Sequence, residues 1–317
     1  MEIDLRSKVV SFIIEKGLLQ KRSSILLSMS AGKDSMALYD IIRFISRDWD
    51  LSVSVFHLNH CLRGKDSDAD EVFLKDLCVR DGIPFFSERH DFTLESAGSF
   101  EERARNERYT RMRRLINEHN FNAVLTAHTK SDSVETVMMR MVTGTHIHGL
   151  TGIPVVRDCF IRPLLCATSE EVYTYLKSSG LSWREDLSNE DQTYSRNFIR
   201  HTVIPLMTSR FPRTVVSLFD LSSAAAGNER LLLKLAASAG IKAYKSSGEI
   251  RYGNNPLLQD YDIFCYCFAD ILYGLGSFVS GEKLSEAFKR FHSAKGKTIL
   301  VVKMLRKRMR FVTALKP

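Results

Sequence analysis

Two alternating periods constrain the fold of this chain most strongly. Short runs rich in β-branched and aromatic residues at 24–29 (SILLSM), 51–59 (LSVSVFHLN), 82–88 (GIPFFSE) and 122–128 (NAVLTAH) read as strands. Between and after them, near 34–47, 68–81, 100–118 and 131–142, apolar residues recur at helical spacing, as with Leu38, Ile41, Ile42 and Ile45. A βαβα alternation of this kind predicts an α/β fold with a doubly wound, mostly parallel sheet and ligands at the carboxyl ends of its strands. A further helix is expected near 168–179, with Thr168 as its N-cap and Glu170 and Glu171 in its first turn.

The 317 residues, 44% of them hydrophobic, suffice for two domains. A long helix at 214–240 is expected to link them, which sets the boundary at 1–215 and 216–317. The second part should be a smaller, mixed helical and strand domain. Charge separates the two parts: residues 1–215 carry 29 Lys and Arg against 29 Asp and Glu, whereas residues 216–317 carry 16 against 8. The whole excess of +8 therefore lies in the last third, densest in KGKTILVVKMLRKRMRF from Lys295 to Phe311. One sign concentrated in one domain predicts a polyanionic partner, nucleic acid before others. Arg306, Arg308 and Arg310 are expected on one face of a strand, with Lys307 on the other. No apolar run reaches membrane-spanning length, and the opening MEIDLRSKVV is charged where a signal peptide is apolar. The six cysteines form no C-x-x-C pair. The expectation is a soluble, cytoplasmic protein with reduced thiols and no membrane contact.

SMSAGKDSM (28–36) joins the first strand to the first helix. It lacks the spacing of a Walker A loop and the three glycines of a dinucleotide fingerprint. What remains is a tight turn at a helix N-terminus, where backbone N–H groups, the Ser30 and Ser35 hydroxyls and the Lys33 ammonium would cradle an anion. An ordinary turn capped by Asp34 or Ser35 is the simpler alternative.

SAGKDS resembles the S-G-G-x-D-S loop of the PP-loop ATP pyrophosphatases, with Ala31 in place of the first glycine, a change that requires negative φ at that position. Further segments resemble the tRNA(Ile)-lysidine synthases: HLNHCLRG (57–64) with DADE (68–71), ARNERY (104–109), TAHTKSDSVET (126–136), FIRPLL (160–165) and DLSNEDQTYSRNFIRHTVIP (186–205). The likeness is ordered and covers roughly residues 20–210. It implies ATP-dependent adenylation of the wobble cytidine of tRNA(Ile) with a CAU anticodon at C2, then displacement of AMP by the ε-amine of free L-lysine, with ATP and Mg²⁺ as reactant and cofactor. On this resemblance Ser30, Ala31, Gly32, Lys33, Asp34 and Ser35 would bind ATP, with Asp34 as the Mg²⁺-binding or ATP-orienting carboxylate. His128 would contact a phosphate or transfer a proton; Asp132 and Glu135 would hold the lysine ammonium or a metal. Arg105, Arg108, Arg196, Asn197 and Arg200 would hold ATP or the target nucleotide, with Arg108 and Arg200 nearest the chemistry. Ser131 stands where the family usually has an aspartate. Arg103 and Arg111 are read as surface ion-pair partners, Trp183 and Tyr194 as base-stacking or core residues, and His146 and His148 as no metal pair. A homodimer fits the same reading. The rivals are a PP-loop tRNA thiolation enzyme, disfavoured by the missing C-x-x-C, and a non-catalytic, nucleotide-responsive RNA-binding protein.

Overall fold

The computed structural model describes residues 4–61, 64–91, 100–145, 147–184, 195–238, 242–244, 249–251, 256–274, 281–293, 298–305 and 308–315. The chain divides into two compact units, Met1–Met139 with Gly152–Phe219, and Arg140–Thr151 with Asp220–Pro317.

The first unit opens with helix α1 (Leu5–Glu15) and then alternates β1 (Ser24–Ser28), α2 (Lys33–Trp49), β2 (Ser52–Asn59), α3 (Lys65–Asp81), β3 (Phe85–Arg89), α4 (Phe100–His119), β4 (Ala123–Thr126) and α5 (Lys130–Thr143). Two short strands, β5 (Val156–Arg157) and β6 (Phe160–Ile161), and helix α6 (Ser169–Ser179) follow. The six strands form one sheet in the order β3-β2-β1-β4-β6-β5, parallel except for β5 against β6. This is an α/β fold with a mostly parallel sheet. Connectivity runs outward from β1 through β2 to β3 on one side and resumes at β4 on the other, so the direction switches between β1 and β4, where such sheets open a ligand crevice.

Alternation along β1 explains why its run is apolar throughout. Ile25 and Leu27 enter a core with residues of α1, α2, α3 and α6, whereas Leu26 enters a second core with Met112 and Leu115 of α4, Phe56 of β2 and Val124 of β4. A parallel strand covered on both faces has no polar side to offer. Each such side chain contributes about 1.5–3 kcal/mol through burial. Helix α6 begins with the expected cap: Glu171 N–H donates to Thr168 Oγ1 at 3.2 Å and Thr168 N–H to the Glu171 carboxylate at 2.7 Å.

Beyond α6 the described chain resumes with α7 (Ser195–Phe198), one π-helical turn (Ile199–Val203), α8 (Ile204–Arg210) and the long α9 (Thr214–Ser238). Ile199 packs with Val134 and Met138 of α5 in a third, small cluster. The remaining elements are β7 (Lys242–Tyr244), β8 (Glu249–Arg251), α10 (Tyr261–Gly274), α11 (Gly281–Ser293), β9 (Thr298–Leu305) and β10 (Arg308–Leu315). β7 pairs with β8 and β9 with β10, both antiparallel. The β9–β10 pairing places Arg308 opposite Leu305, which corrects the reading of 305–311 as one strand. Arg308 and Arg310 keep alternate positions, hence one face, of β10; Arg306 and Lys307 lie outside the described residues, as do Tyr194 and His146. Among the described residues no helix is long and apolar enough to cross a membrane.

Candidate active site

A cavity of about 750 Å³ opens at the carboxyl ends of β1 and β4, between the N-termini of α2 and α5. Its size suits a nucleotide or a flipped base. Ser28 to Ser30 and Gly32 to Ser35 form one wall, and Thr126 to Thr129 with Ser131, Asp132 and Glu135 another.

Helix α2 starts at Gly32 with no side-chain cap. Its first N–H groups are thus left to the loop and the cavity, the arrangement that binds anions. Within the loop, Ser35 Oγ donates to the Gly32 carbonyl at 2.8 Å and accepts from Ser30 N–H at 3.4 Å. Gly32 has φ −73, and a Cβ there would meet Ser30 Oγ at an ordinary 3.5 Å. Nothing in the protein demands glycine at this position, so its missing side chain reads as room for a ligand.

Ala31 departs from expectation. Its φ is +59, in the left-handed region, not negative. The residue is wholly buried, and its carbonyl accepts Arg184 N–H at 3.0 Å. A non-glycine residue there costs about 1 kcal/mol. Glycine would remove that cost but loosen the unfolded chain by about 0.4–1 kcal/mol. Ala31→Gly is therefore expected to shift denaturant-measured stability by less than about 1 kcal/mol, and Ala31→Val to destabilise clearly, since β-branching suits φ > 0 least.

Lys33 Nζ lies 2.7 Å from Asp34 Oδ1 and also donates to Ser169 Oγ at the start of α6. Burial raises the proton affinity of the Asp34 carboxyl, and Lys33 only partly opposes this. Such a carboxylate is poised for a further cation. Among the described residues no three His, Cys, Asp or Glu side chains cluster as a metal site. A magnesium ion held by one carboxylate and the phosphates of its nucleotide needs no such cluster. Ser131 hydroxyl oxygen accepts Ser169 N–H at 3.0 Å, so this position supports the start of α6.

On the facing wall, Asp132 Oδ2 accepts from Thr129 N–H and Thr129 Oγ1, both at 2.8 Å, which caps α5. Its other oxygen receives Arg196 Nη2 at 3.3 Å and Arg200 Nη2 at 3.2 Å. Glu135, 3% exposed, takes Arg200 Nε on Oε1 at 2.6 Å, and on Oε2 Arg200 Nη2 at 2.7 Å and Arg196 Nε at 3.0 Å. The oxygens that the sequence offered to an ammonium or a metal are thus turned on two guanidinium groups. The spacing carried this signal: Asp132 and Glu135 at i, i+3 on one helix match Arg196 and Arg200 at i, i+4 on another. Burial disfavours the charged form of Asp132, but the arginines and the Thr129 N–H hold its pKa below the ordinary carboxylate range. His128 shares a 3.0 Å hydrogen bond with Thr126 Oγ1. Burial pushes its proton affinity well below that of an ordinary imidazole, Asp132 opposes this only in part, and Arg162, Arg108 and Arg105 add to it.

Arg108 and Arg200 reach the cavity wall, whereas Arg105, Arg196 and Asn197 do not line it. Arg105 lies over the Tyr109 ring at 5.0 Å, and its charge, like that of Arg108, is felt at His128. Arg196 stands behind Arg200 against the same carboxylates. Arg111 pairs with Glu107 at 2.7 Å and with Glu88, and its side chain is half-buried. Arg308 and Arg310 belong to the other unit.

Five wall residues escaped the sequence reading: Asp70, Ser169, Tyr173, Arg184 and His201. Asp70 and Arg184 form an ion pair across 114 positions, which no local pattern announces. Tyr173 packs edge-on against Trp183 at 5.9 Å, and Trp183 lines the cavity while also touching the main core. Tyr173 lies one turn beyond Ser169, a signal that the capped α6 offered.

A phosphate-sized loop at an uncapped helix N-terminus, at the switch point of a parallel sheet, defines a nucleotide-binding α/β protein, and the PP-loop domain family matches residues 1–207. The tRNA(Ile)-lysidine synthase of Petrotoga mobilis is 33% identical over 222 residues, 69% of this chain and 71% of that protein. That of Chlorobaculum tepidum is 37% identical over 224 residues, 70% of this chain and 68% of that protein. The chain belongs to the tRNA(Ile)-lysidine synthase family of ATP-dependent ligases. The U34-tRNA thiolase NcsA from Methanococcus maripaludis, solved with its 4Fe–4S cluster, shares the fold at a TM-score of 0.57 and 16% identity over 71% of this chain and 77% of its own. At that identity the likeness speaks of fold alone.

Proposed function

We propose that this chain joins L-lysine to C2 of the wobble cytidine of tRNA(Ile) with a CAU anticodon, through an adenylated tRNA, releasing pyrophosphate and AMP. The observation that carries this reading is the shared cavity: the anion-cradling loop at Ser30–Ser35 faces Arg200, Arg108 and His128 across one space. Adenylation needs donors on a polyphosphate, positive charge beside the α phosphate under attack and exclusion of water, and these groups supply the first two.

In this reading Ser30, Gly32, Lys33 and Ser35 hold the β and γ phosphates, and the buried Ala31 fixes the turn. Asp34 with the nucleotide's phosphates would hold Mg²⁺, which would supply positive charge against the phosphates. Arg108 and Arg200 stabilise negative charge on the α phosphate and the oxygen at C2. Neutral His128 donates or accepts one hydrogen bond at the same centre. Asp132, Glu135 and Arg196 position Arg200. Residues 1–215 thus form the adenylation domain, acting in the cytoplasm on free lysine. Residues 216–317, with their excess of positive charge, bind tRNA phosphates.

Arg308 and Arg310 are, with Lys303, the described basic members of the densest basic stretch. Replacing both by Ala is expected to weaken tRNA binding and flatten the slope of log K against log[salt] by up to about 2 units, at roughly 0.7–0.9 per phosphate contact. Filter binding between low and moderate salt measures it, and an unchanged slope in the folded variant would place the RNA elsewhere. The reaction itself is tested by following α-labelled ATP. Conversion to AMP that requires both tRNA(Ile) and lysine supports the ligase; ADP as product, or turnover indifferent to lysine, contradicts it. A thiolation enzyme would show no lysine requirement, and a non-catalytic RNA-binding protein no turnover.

A further inference from the structure

Between Asp191 and Asp220 the sequence holds four arginines, Arg196, Arg200, Arg210 and Arg213, and no acidic residue. Since residues 1–215 are balanced in charge as a whole, this is a local excess. Arg196 and Arg200 are held by Asp132 and Glu135 at the first cavity. Arg210 and Arg213 are exposed and line a second hollow, of about 480 Å³, together with Met207, Phe211, Pro212 and Leu218. This hollow shares no residue with the first cavity, has no acid in its lining and lies wholly within the first unit.

Its backbone is fixed on both sides. Phe211 N–H donates to the Met207 carbonyl at 2.8 Å as α8 ends, and Thr214 N–H and Oγ1 donate to the Phe211 carbonyl at 2.9 and 2.7 Å as α9 begins. Pro212 locks its own φ between them. Met207 and Leu218 pack on the cluster of Val134, Met138 and Ile199. Phe211 is nevertheless 65% exposed, and Phe198 and Leu206 of the same helical stretch are exposed as well. A ring anchored by its backbone yet left in solvent is a preorganised platform, because little ordering remains when a partner binds.

Aromatic and arginine side chains without acids suit a flexible polyanion whose units carry flat apolar faces. Single-stranded nucleic acid has that chemistry: its bases stack on the rings and its phosphates meet the guanidinium groups. Helical RNA keeps its base faces covered. A second copy of this chain would bring one pair of arginines toward the other across a two-fold axis, which like charge opposes. Position points to the substrate's own loop. Helix α8 continues the turn that brings Arg200 and His201 to the first cavity, and the nine residues from His201 to Arg210 span about 14 Å of helix. A few unpaired nucleotides cover that reach.

We infer that Arg210, Phe211, Pro212 and Arg213 hold the unpaired nucleotides flanking the wobble cytidine, with one base on the Phe211 ring and its neighbouring phosphates on the two arginines. This rests on the ligase reading above, which brings an anticodon loop to the first cavity. Drawing the target base out of its stack leaves the adjacent base without a neighbour, and the Phe211 ring replaces it.

The test uses the full chain and labelled full-length tRNA(Ile) of CAU anticodon, with binding read by fluorescence anisotropy over a range of salt. Phe211→Ala is expected to weaken binding about tenfold at fixed salt without changing the salt slope, and Phe211→Trp to stay within about twofold of wild type, since the larger ring still stacks. Arg210→Ala combined with Arg213→Ala should flatten the slope of log K against log[salt] by about 1.4 units, at roughly 0.7 per phosphate of a single strand. Once the anticodon loop is paired with a complementary oligonucleotide, wild type and Phe211→Ala should bind alike. A merely structural role for Phe211 would leave its defect in place on the paired loop. That result would overturn the proposal, as would unchanged affinity and slope in the alanine variants. Conversion of ATP to AMP with tRNA and lysine is followed in parallel. A wild type that binds tRNA but makes no AMP brings down the ligase reading alone, and the binding data still decide whether this surface holds the loop.

Discussion

Glu135→Gln is expected to unfold at markedly lower denaturant concentration than wild type and to lose both half-reactions together. Glu135 is 3% exposed and holds two guanidinium groups that are 27% and 32% exposed. Removing the charge of a buried partner typically costs about 3–5 kcal/mol. The partial solvation of Arg196 and Arg200 reduces this to about 2–3 kcal/mol. Arg200 would then lose the contacts that aim it into the cavity, so adenylation fails along with lysine transfer. The sequence alone predicts otherwise: a carboxylate binding the lysine ammonium would spare adenylation. Denaturant melts with quench-flow separation of the steps decide between them. Full stability with a defect confined to lysine would restore the ammonium role.

Asp34→Asn is expected to do the opposite, abolishing turnover while leaving the fold intact or firmer. Burial raises the Asp34 pKa above its unfolded value of about 3.9. A carboxyl whose folded pKa is raised binds protons more tightly when folded, so its contribution to stability declines as pH rises through that window. At neutral pH the ionised Asp34 is thus a net cost, which the neutral amide removes. ATP conversion should fall at least about 100-fold, some 2.7 kcal/mol of transition-state stabilisation. Binding of tRNA should change less than about twofold, since the phosphate loop and the basic stretch lie in separate units. A variant that melts lower yet turns over ATP normally would make Asp34 a structural residue.

The parts of this molecule legible in its sequence are those governed by period and by local caps. β1 to β4 and α2 to α6 lie close to where hydrophobic spacing places them, and Thr168 announces its capping box three residues before Glu171. These features depend on neighbours within one turn or one pleat. Ala31 was misread because nothing in its local sequence marks its positive φ, and the Arg184 N–H that its carbonyl accepts comes from 153 positions along the chain. The Asp70–Arg184 pair was missed for the same reason. The pairing of Asp132 and Glu135 with Arg196 and Arg200 was half legible. Every member stood out, but charges alone do not say whether they meet a ligand or one another. His201 gave no local signal, because a π-helical turn depends on how its helix is packed, here through Ile199 against α5.

In the proposed reaction lysine, and no other group, ends on the wobble cytidine. Incubating the purified chain with tRNA(Ile) of CAU anticodon, ATP and isotopically labelled lysine, then digesting the RNA to nucleosides for mass analysis, tests it directly. The predicted result is one labelled nucleoside at the wobble position, heavier than cytidine by lysine less one water, and absent without ATP. Unlabelled cytidine at that position, or a gain in mass corresponding to sulfur, would contradict the account.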